Sequence, residues 1–488
     1  MTRKFKFFLF FFIFLFIFIV LGAISVEKKN TSSFIQLIES KLPEKIKVML
    51  KQTVFSIPTL NRKTQQHENI IYELDSKITV LTKRVESLHA GVERVLPGSE
   101  LNDIKSKSNI YNIRTFLLPF PNNHKWMMKA VAYLEQTNNE IIIASGHGEF
   151  FSFKKKDIGS DDLELTKIKS NIKDLIRNKE FYSSGYGGIR DLLILDNKLF
   201  VSYNNTPTKE CYNTSIMVAE LNINYLNFSE FFSYDECVSK ENKKSTTSFG
   251  APAAWSSGGR MFPFKNGKII FSIGEYNDRV RAQDKNSMFG KIISLDLITK
   301  EYELISMGHR NQQGLYYSEN NDVIILTEHG PRGGDEINVN LEVGNKVENF
   351  GWPISSYGTH YDSNYRDRKI DKYKEEAPLH KSHKEYGFIE PIKYFTPSIA
   401  ITQIIKIPNT FNEKFTNDFF IGAMGSKIDE GDLSVHHIRF NKDFNKIKFE
   451  DIIPFGQRVR DMIFIREQNI ILLVFENIPA LAILKNID

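Results

Sequence analysis

Gly308-His309-Arg310-Asn311-Gln312-Gln313-Gly314, Asp322-Val323-Ile324-Ile325-Leu326-Thr327 and Glu328-His329-Gly330-Pro331-Arg332-Gly333-Gly334-Asp335-Glu336-Ile337-Asn338 follow one another inside residues 308–338. The middle run is apolar and β-branched, which reads as a buried strand. Its flanks mix glycine with Arg, Asn, Asp and Glu. Glycine permits turn angles closed to other residues, and the charged side chains put carboxylates and bidentate guanidinium donors on those turns. Asn349-Phe350-Gly351-Trp352-Pro353 ends the stretch with another turn.

The same pattern recurs outward in both directions. Glu140–Ile143, Leu192–Tyr203, Gly267–Ile273, Asp322–Thr327, Asp418–Gly422 and Met462–Phe475 each open a β-branched or aromatic run, often after an Asn, Asp or Gly turn. Six openings over roughly 380 residues imply repeated four-stranded units with insertions, and hence an all-β, six-bladed β-propeller over residues 109–488. A sandwich needs fewer strands, a solenoid a stricter period, and an α/β barrel helices that this region does not show.

The N-terminal part reads differently. Arg3, Lys4 and Lys6 precede Phe7–Ile24, a stretch without charge. It is longer than the usual apolar core of a signal peptide, and Ala23-Ile24-Ser25 fits the cleavage rule only loosely, so an uncleaved transmembrane anchor is expected over a cleaved one. Residues 1–30 then form a cytoplasmic tip and signal-anchor, and the basic residues before the span place the bulk of the chain outside, on the periplasmic face of an inner membrane. Residues 31–98 read as a helical stalk. Ile71, Leu74, Ile78, Leu81, Val85, Leu88, Val92 and Val95 alternate three- and four-residue spacings, which is either a coiled-coil seam joining a homodimer or trimer or a helix packed on its own domain. Pro97-Gly98-Ser99 ends it.

Lys+Arg 64 against Asp+Glu 59 leaves a net charge of +5, so no global field points to nucleic acid. The only two cysteines, Cys211 and Cys237, lie in the exported part, where they either pair or remain separate buried thiols. His436-His437 sits in an alternating strand, one side chain inward and one outward, and reads as strand rather than metal site.

Asn109–Asp488 resembles the soluble aldose sugar dehydrogenases, the glucose/sorbosone dehydrogenase family that uses pyrroloquinoline quinone (PQQ). The resemblance rests on the motifs of residues 308–338, on Asn349-Phe350-Gly351-Trp352-Pro353, on Gly258-Gly259-Arg260, on Gly274-Glu275 with Ala282-Gln283-Asp284, and on Arg458-Val459-Arg460-Asp461. It implies oxidation of a sugar's anomeric hydroxyl, with electrons passing to an acceptor that the sequence does not identify. It further implies cofactor contacts from Arg310, Asn311, Arg458 and Arg460, since guanidinium groups suit a planar tricarboxylate. A Ca²⁺ ion bound through the backbone oxygens of Gly330 and Pro331 is implied as well, with Asp335 and Glu336 resembling ligands of a second calcium.

Three positions depart from the family pattern. Ser256 stands where the family has its histidine base, Tyr186 where a glutamine usually flanks the cofactor, and Gly425 where a lysine is common, with Lys427 two residues on as a replacement. A serine is not a general base unaided, so His147, Glu275 or Glu328 would have to take the proton. The alternative is a catalytically inactive propeller that binds a sugar, a glycan or an envelope protein. Tyr357, His360 and Tyr361 follow the Trp352-Pro353 turn and suit a sugar entrance.

Overall fold

In a computed structural model, the described residues are 94–120, 131–177, 181, 188–208, 211–239, 256–360 and 374–487. They form six sheets, each built on four antiparallel strands. The innermost strands are Ala132–Gln136, Ile189–Leu195, Gly258–Phe264, Gln312–Ser318, Ile401–Ile407 and Val459–Ile465. Each lies beside the next, and the sixth lies beside the first. The ring is a six-bladed propeller, as the recurrence of strand openings implies.

Blades pack face to face, so both sides of a strand must be apolar and alternate residues feed different interfaces. Ile269 and Phe271 join the core between blades 2 and 3, whereas Ile270 between them joins the core between blades 3 and 4. Six such apolar clusters fill the six interfaces. This packing corrects the reading of His436-His437: both are buried, because neither face of that strand meets water. His437 contacts Asp418 at 2.5 Å, and His436 Nε2 contacts the Gly431 carbonyl at 3.0 Å.

The last blade is closed by the N-terminal side of the domain, where Ile110–Leu117 pairs with Ala480–Asn486. Two further strands precede it. Arg94–Pro97 pairs with Asp162–Leu165 on blade 1, and Asn102–Lys105 adds an edge to blade 6. Val95, read above as the last heptad position, is therefore in a sheet and 42% exposed. The rest of the expected stalk and the Phe7–Ile24 span lie outside the described residues. Among the described residues no helix is long and apolar enough to cross a membrane. Cys211 and Cys237 are paired in a disulfide on blade 2.

Candidate active site

The N-terminal ends of the inner strands are stitched to the neighbouring blade. Gly146 O accepts from Ile189 N, Ser202 Oγ donates to Gly259 O, Gly258 N donates to Asn311 Oδ1, and Thr402 Oγ1 donates to Val459 O. All six strands thus start on one face, which also receives the turns between second and third strands. That face gathers the residues marked by sequence: His147 and Ser256, Glu275, Arg310 and Asn311, Gly330 and Pro331, Lys427, Arg458 and Arg460. Trp352, Ala377 and Leu379 pack on Ala282 there too.

Just inside this face Arg260 sits on the axis. Its Nη1 donates at 2.9 Å to Asp191 Oδ1 and at 2.9 Å to Asp461 Oδ1, and its Nε donates to Gln313 O at 2.7 Å. Met261 N and Leu134 N complete the two carboxylates at 2.7 and 2.8 Å. Inner strands of five blades meet at this one guanidinium. The glycines before it are needed for close approach: a Cβ on Gly259 would lie 2.4 Å from Arg190 Cβ. Arg260 is consumed as a fastener and is not available to a ligand.

Arg310, Arg458 and Arg460 are placed differently. Arg310 Nη1 donates to His329 O at 3.0 Å and Gly330 O at 2.7 Å, with its guanidinium over Trp352 at 5.3 Å. Arg458 Nε donates to Glu476 Oε2 at 3.0 Å, and Arg460 shares the other oxygen of the same carboxylate. Arg460 Nη1 reaches across to Gln313 Oε1 at 3.0 Å, and Gln313 Nε2 in turn donates to Asn311 Oδ1 at 3.0 Å. The two sides of the cradle therefore touch. His329, between them, has its pKa lowered by burial first and by Arg310 and Arg460 in addition, against the pull of Asp335.

Glu275 is fully buried, and no side chain hydrogen-bonds its carboxylate, which has only the backbone N–H of Asn277 beside it. Burial pushes its pKa up, opposed by Arg310 and Arg279 nearby. Its own backbone N–H donates to Arg310 O at 2.9 Å, which fixes it against the cradle. Ser256 is buried too, its hydroxyl without a hydrogen-bond partner and its carbonyl accepting from Tyr276 N at 3.0 Å. Polar side chains without side-chain partners are rare in protein interiors, and here two of them, Glu275 and Ser256, adjoin a cationic cradle, as a site for a polar ligand requires.

The remaining positions are less central. His147 is half-buried in the turn of blade 1. Lys427 is exposed and paired with Glu430 at 2.6 Å. At Gly425 a Cβ would lie 1.9 Å from Asp432 Oδ2, so Asp432 occupies the space that a side chain there would need. Tyr186 and Tyr361 lie outside the described residues.

Glu328 holds His309 at 3.1 Å and Arg310 N at 2.8 Å, and Asn338 Nδ2 links it to Glu336 at 2.8 and 3.0 Å. The carboxylates expected to bind calcium are engaged elsewhere. Asp335 accepts from Gly330 N at 3.0 Å and Ile401 N at 3.1 Å, while Glu336 faces Asn338 and His383. As neighbours on one strand, Asp335 and Glu336 point to opposite faces and do not converge. Gly330 O already holds the Arg310 guanidinium, and no group of three or more His, Cys, Asp or Glu among the described residues is placed for a metal. This arrangement does not fit the implied calcium, whereas the arginines and Asn311 fit a tricarboxylate.

Sequence gave no reason to single out Glu476, Asp191 or Arg190. Arg190 directly follows the Gly187-Gly188-Ile189 run, and its position behind a glycine turn is the one available signal. Glu476 had none.

The chain is 30% identical over 218 residues to the aldose sugar dehydrogenase YliI of Escherichia coli, covering 42% of this chain and 53% of that protein. It is 27% identical over 234 residues to an uncharacterized protein of Synechocystis, covering 43% and 51%. The chain thus spans about half the length of the curated relatives it matches. The crystal structure of the soluble aldose sugar dehydrogenase of Escherichia coli in the apo-form superimposes with TM-score 0.56 at 22% identity, over 76% of this chain and 99% of that one. The PQQ-bound aldose sugar dehydrogenase of Streptomyces coelicolor gives 0.50 at 13% identity, over 80% and 98%. Both share the fold. Since the glucose/sorbosone dehydrogenase profile matches residues 137–479, well over half of the sequence, the chain belongs to that family.

Proposed function

We propose that this protein is a PQQ-dependent dehydrogenase that oxidises the anomeric hydroxyl of an aldose, with Glu275 as proton acceptor in place of the absent histidine. The observation that carries the reading is the buried carboxylate of Glu275, without a side-chain hydrogen-bond partner and beside Arg310 on the cradle face. Arg310, Asn311, Arg458 and Arg460 would hold the cofactor's carboxylates. When bound, the quinone supplies the two-electron oxidant that accepts hydride from the sugar. Glu275 takes the hydroxyl proton, and its raised pKa makes it a stronger base than an exposed glutamate. Ser256 is too weakly basic for that role and is placed to hydrogen-bond the substrate or a water. The expected setting, outside an inner membrane, is supported by the Phe7–Ile24 span and by the disulfide.

The second reading, a propeller that binds sugars or envelope proteins without turnover, is favoured by one observation. Asp432 fills the place where a cationic side chain would reach the cofactor from residue 425. Calorimetry with PQQ and dye-reduction assays on aldoses separate the two. The dehydrogenase reading expects binding, turnover, and loss of turnover in Glu275→Gln with binding kept. Absence of quinone binding, or undiminished turnover in Glu275→Gln, defeats it.

A further inference from the structure

The loop Gly274–Gly290 carries Glu275, and it enters a left-handed backbone conformation just after it. Tyr276 and Asn277 follow with φ of 52° and 61°, left-handed angles that cost non-glycine residues on the order of 1 kcal/mol or more each. Blade 2 holds them in place. The buried Tyr276 hydroxyl lies 2.7 Å from Thr214 Oγ1 and 3.0 Å from Asn204 Oδ1. Farther along, the Glu236 carboxylate accepts from Arg281 Nη1, Ser287 Oγ and Met288 N, each at 2.7 Å.

These two grips come from segments that the disulfide joins. Cys211 begins the strand Cys211–Glu220 that presents Thr214, and Cys237 directly follows Glu236. Asn213 adds a second tie, its Nδ2 donating to Tyr234 O at 2.6 Å and Glu236 O at 3.2 Å. Beyond the loop the contacts run on toward the cofactor side, because Gln283 Nε2 donates to Trp352 O at 2.7 Å and Trp352 lies under Arg310.

We propose that Glu236 is a positioning residue of the cradle, and that the Cys211–Cys237 bridge serves to hold it against the blade-3 loop that sets Glu275 and Trp352. The consequence for turnover rests on Glu275 being the proton acceptor; the clamp itself does not.

The variants are Glu236→Gln and the double Cys211→Ser/Cys237→Ser, made in the full chain. In the cofactor-free protein, amide hydrogen exchange over residues 276–288 is expected to accelerate at least about tenfold in both, with the blade-6 strand Ile470–Phe475 unchanged. With PQQ bound, kcat is expected to fall at least about tenfold, with a displaced acid limb in kcat/KM and a Tm loss of only a few degrees. Unchanged exchange at 276–288 in Glu236→Gln overturns the clamp, whatever turnover does. Faster exchange with wild-type kcat and pH profile overturns the positioning role. A wild-type protein that binds no quinone would instead remove the functional reading, and the exchange measurement would still decide the clamp.

Discussion

Glu476 sets how much positive charge the cradle keeps, because one fully buried carboxylate is shared by Arg458 and Arg460. Glu476→Gln would leave both guanidinium groups without that counter-charge, a change that costs roughly 3–5 kcal/mol for buried pairs. A bound tricarboxylate would return the missing charge. Thermal unfolding with and without PQQ should therefore show a lower Tm in the variant alone and a larger stabilisation by the cofactor than in wild type. Equal cofactor shifts would mean that Arg458 and Arg460 do not face the ligand. At Ser256 a histidine tests the base assignment from the other side. Ser256→His in the Glu275→Gln background should regain part of the lost turnover, with an acid limb near the histidine range of about 6.5; no recovery would place the proton acceptor elsewhere. Arg310, Arg458 and Arg460 were legible only through the family resemblance of their motifs, since an arginine taken alone is more often a surface ion pair. Glu476 was not, since a single acid after an apolar strand acquires its role only from the neighbouring strand's arginines.

At the scale of the strand and the loop, the six apolar openings legible in the sequence fall within or overlap the second strand of each blade, as with Glu140–Ser145 and Val323–Glu328. The inner strands were harder to see. Ile189-Arg190-Asp191, Gly258-Gly259-Arg260 and Val459-Arg460-Asp461 carry charges where a core strand normally has apolar residues, because they line the axis and meet Arg260 rather than another sheet. The Gly425–Asp432 loop shows how a local exchange changes the site. Asp432 Oδ2 accepts from Ser426 N at 2.7 Å and Lys427 N at 2.9 Å, a tight turn that leaves no room at residue 425. Gly425→Lys alone should lose stability by about 1–3 kcal/mol through overpacking. Gly425→Lys with Asp432→Gly should recover most of that loss and bind PQQ more tightly than wild type. Calorimetry that found unchanged affinity in the double variant would show that this loop stands clear of the cofactor.

The whole ring depends on its closure and on the charges along its axis. Because Ile110–Leu117 completes the last blade, a chain starting at residue 119 would leave Leu481 and Ile483 unpaired against solvent, and circular dichroism should show no cooperative unfolding. A chain starting at residue 94 keeps both clasping strands and should unfold within a few degrees of the full protein. Along the axis, the half-buried Glu135 is pushed up to about 8 by desolvation first, with Asp191 and Asp461 adding negative charge nearby. Burial likewise pushes Asp191 up to about 7, against the pull of Arg260. Folding therefore raises these pKa values, so between the ordinary carboxylate range and about pH 8 the folded protein binds protons that the unfolded chain has released. The contribution of these two groups to stability falls as pH rises through that window, since the unfolded state binds fewer protons at them there. Glu135→Gln removes one such group while keeping its size and its acceptor for Gln136 N, found at 2.8 Å. The variant and wild type should unfold at more similar temperatures near about pH 5, where the folded forms of both are uncharged at this position, and the variant should be the more stable by several degrees at about pH 8.5. Parallel Tm curves across that range would mean that Glu135 ionises in the folded ring as freely as it does in the unfolded chain.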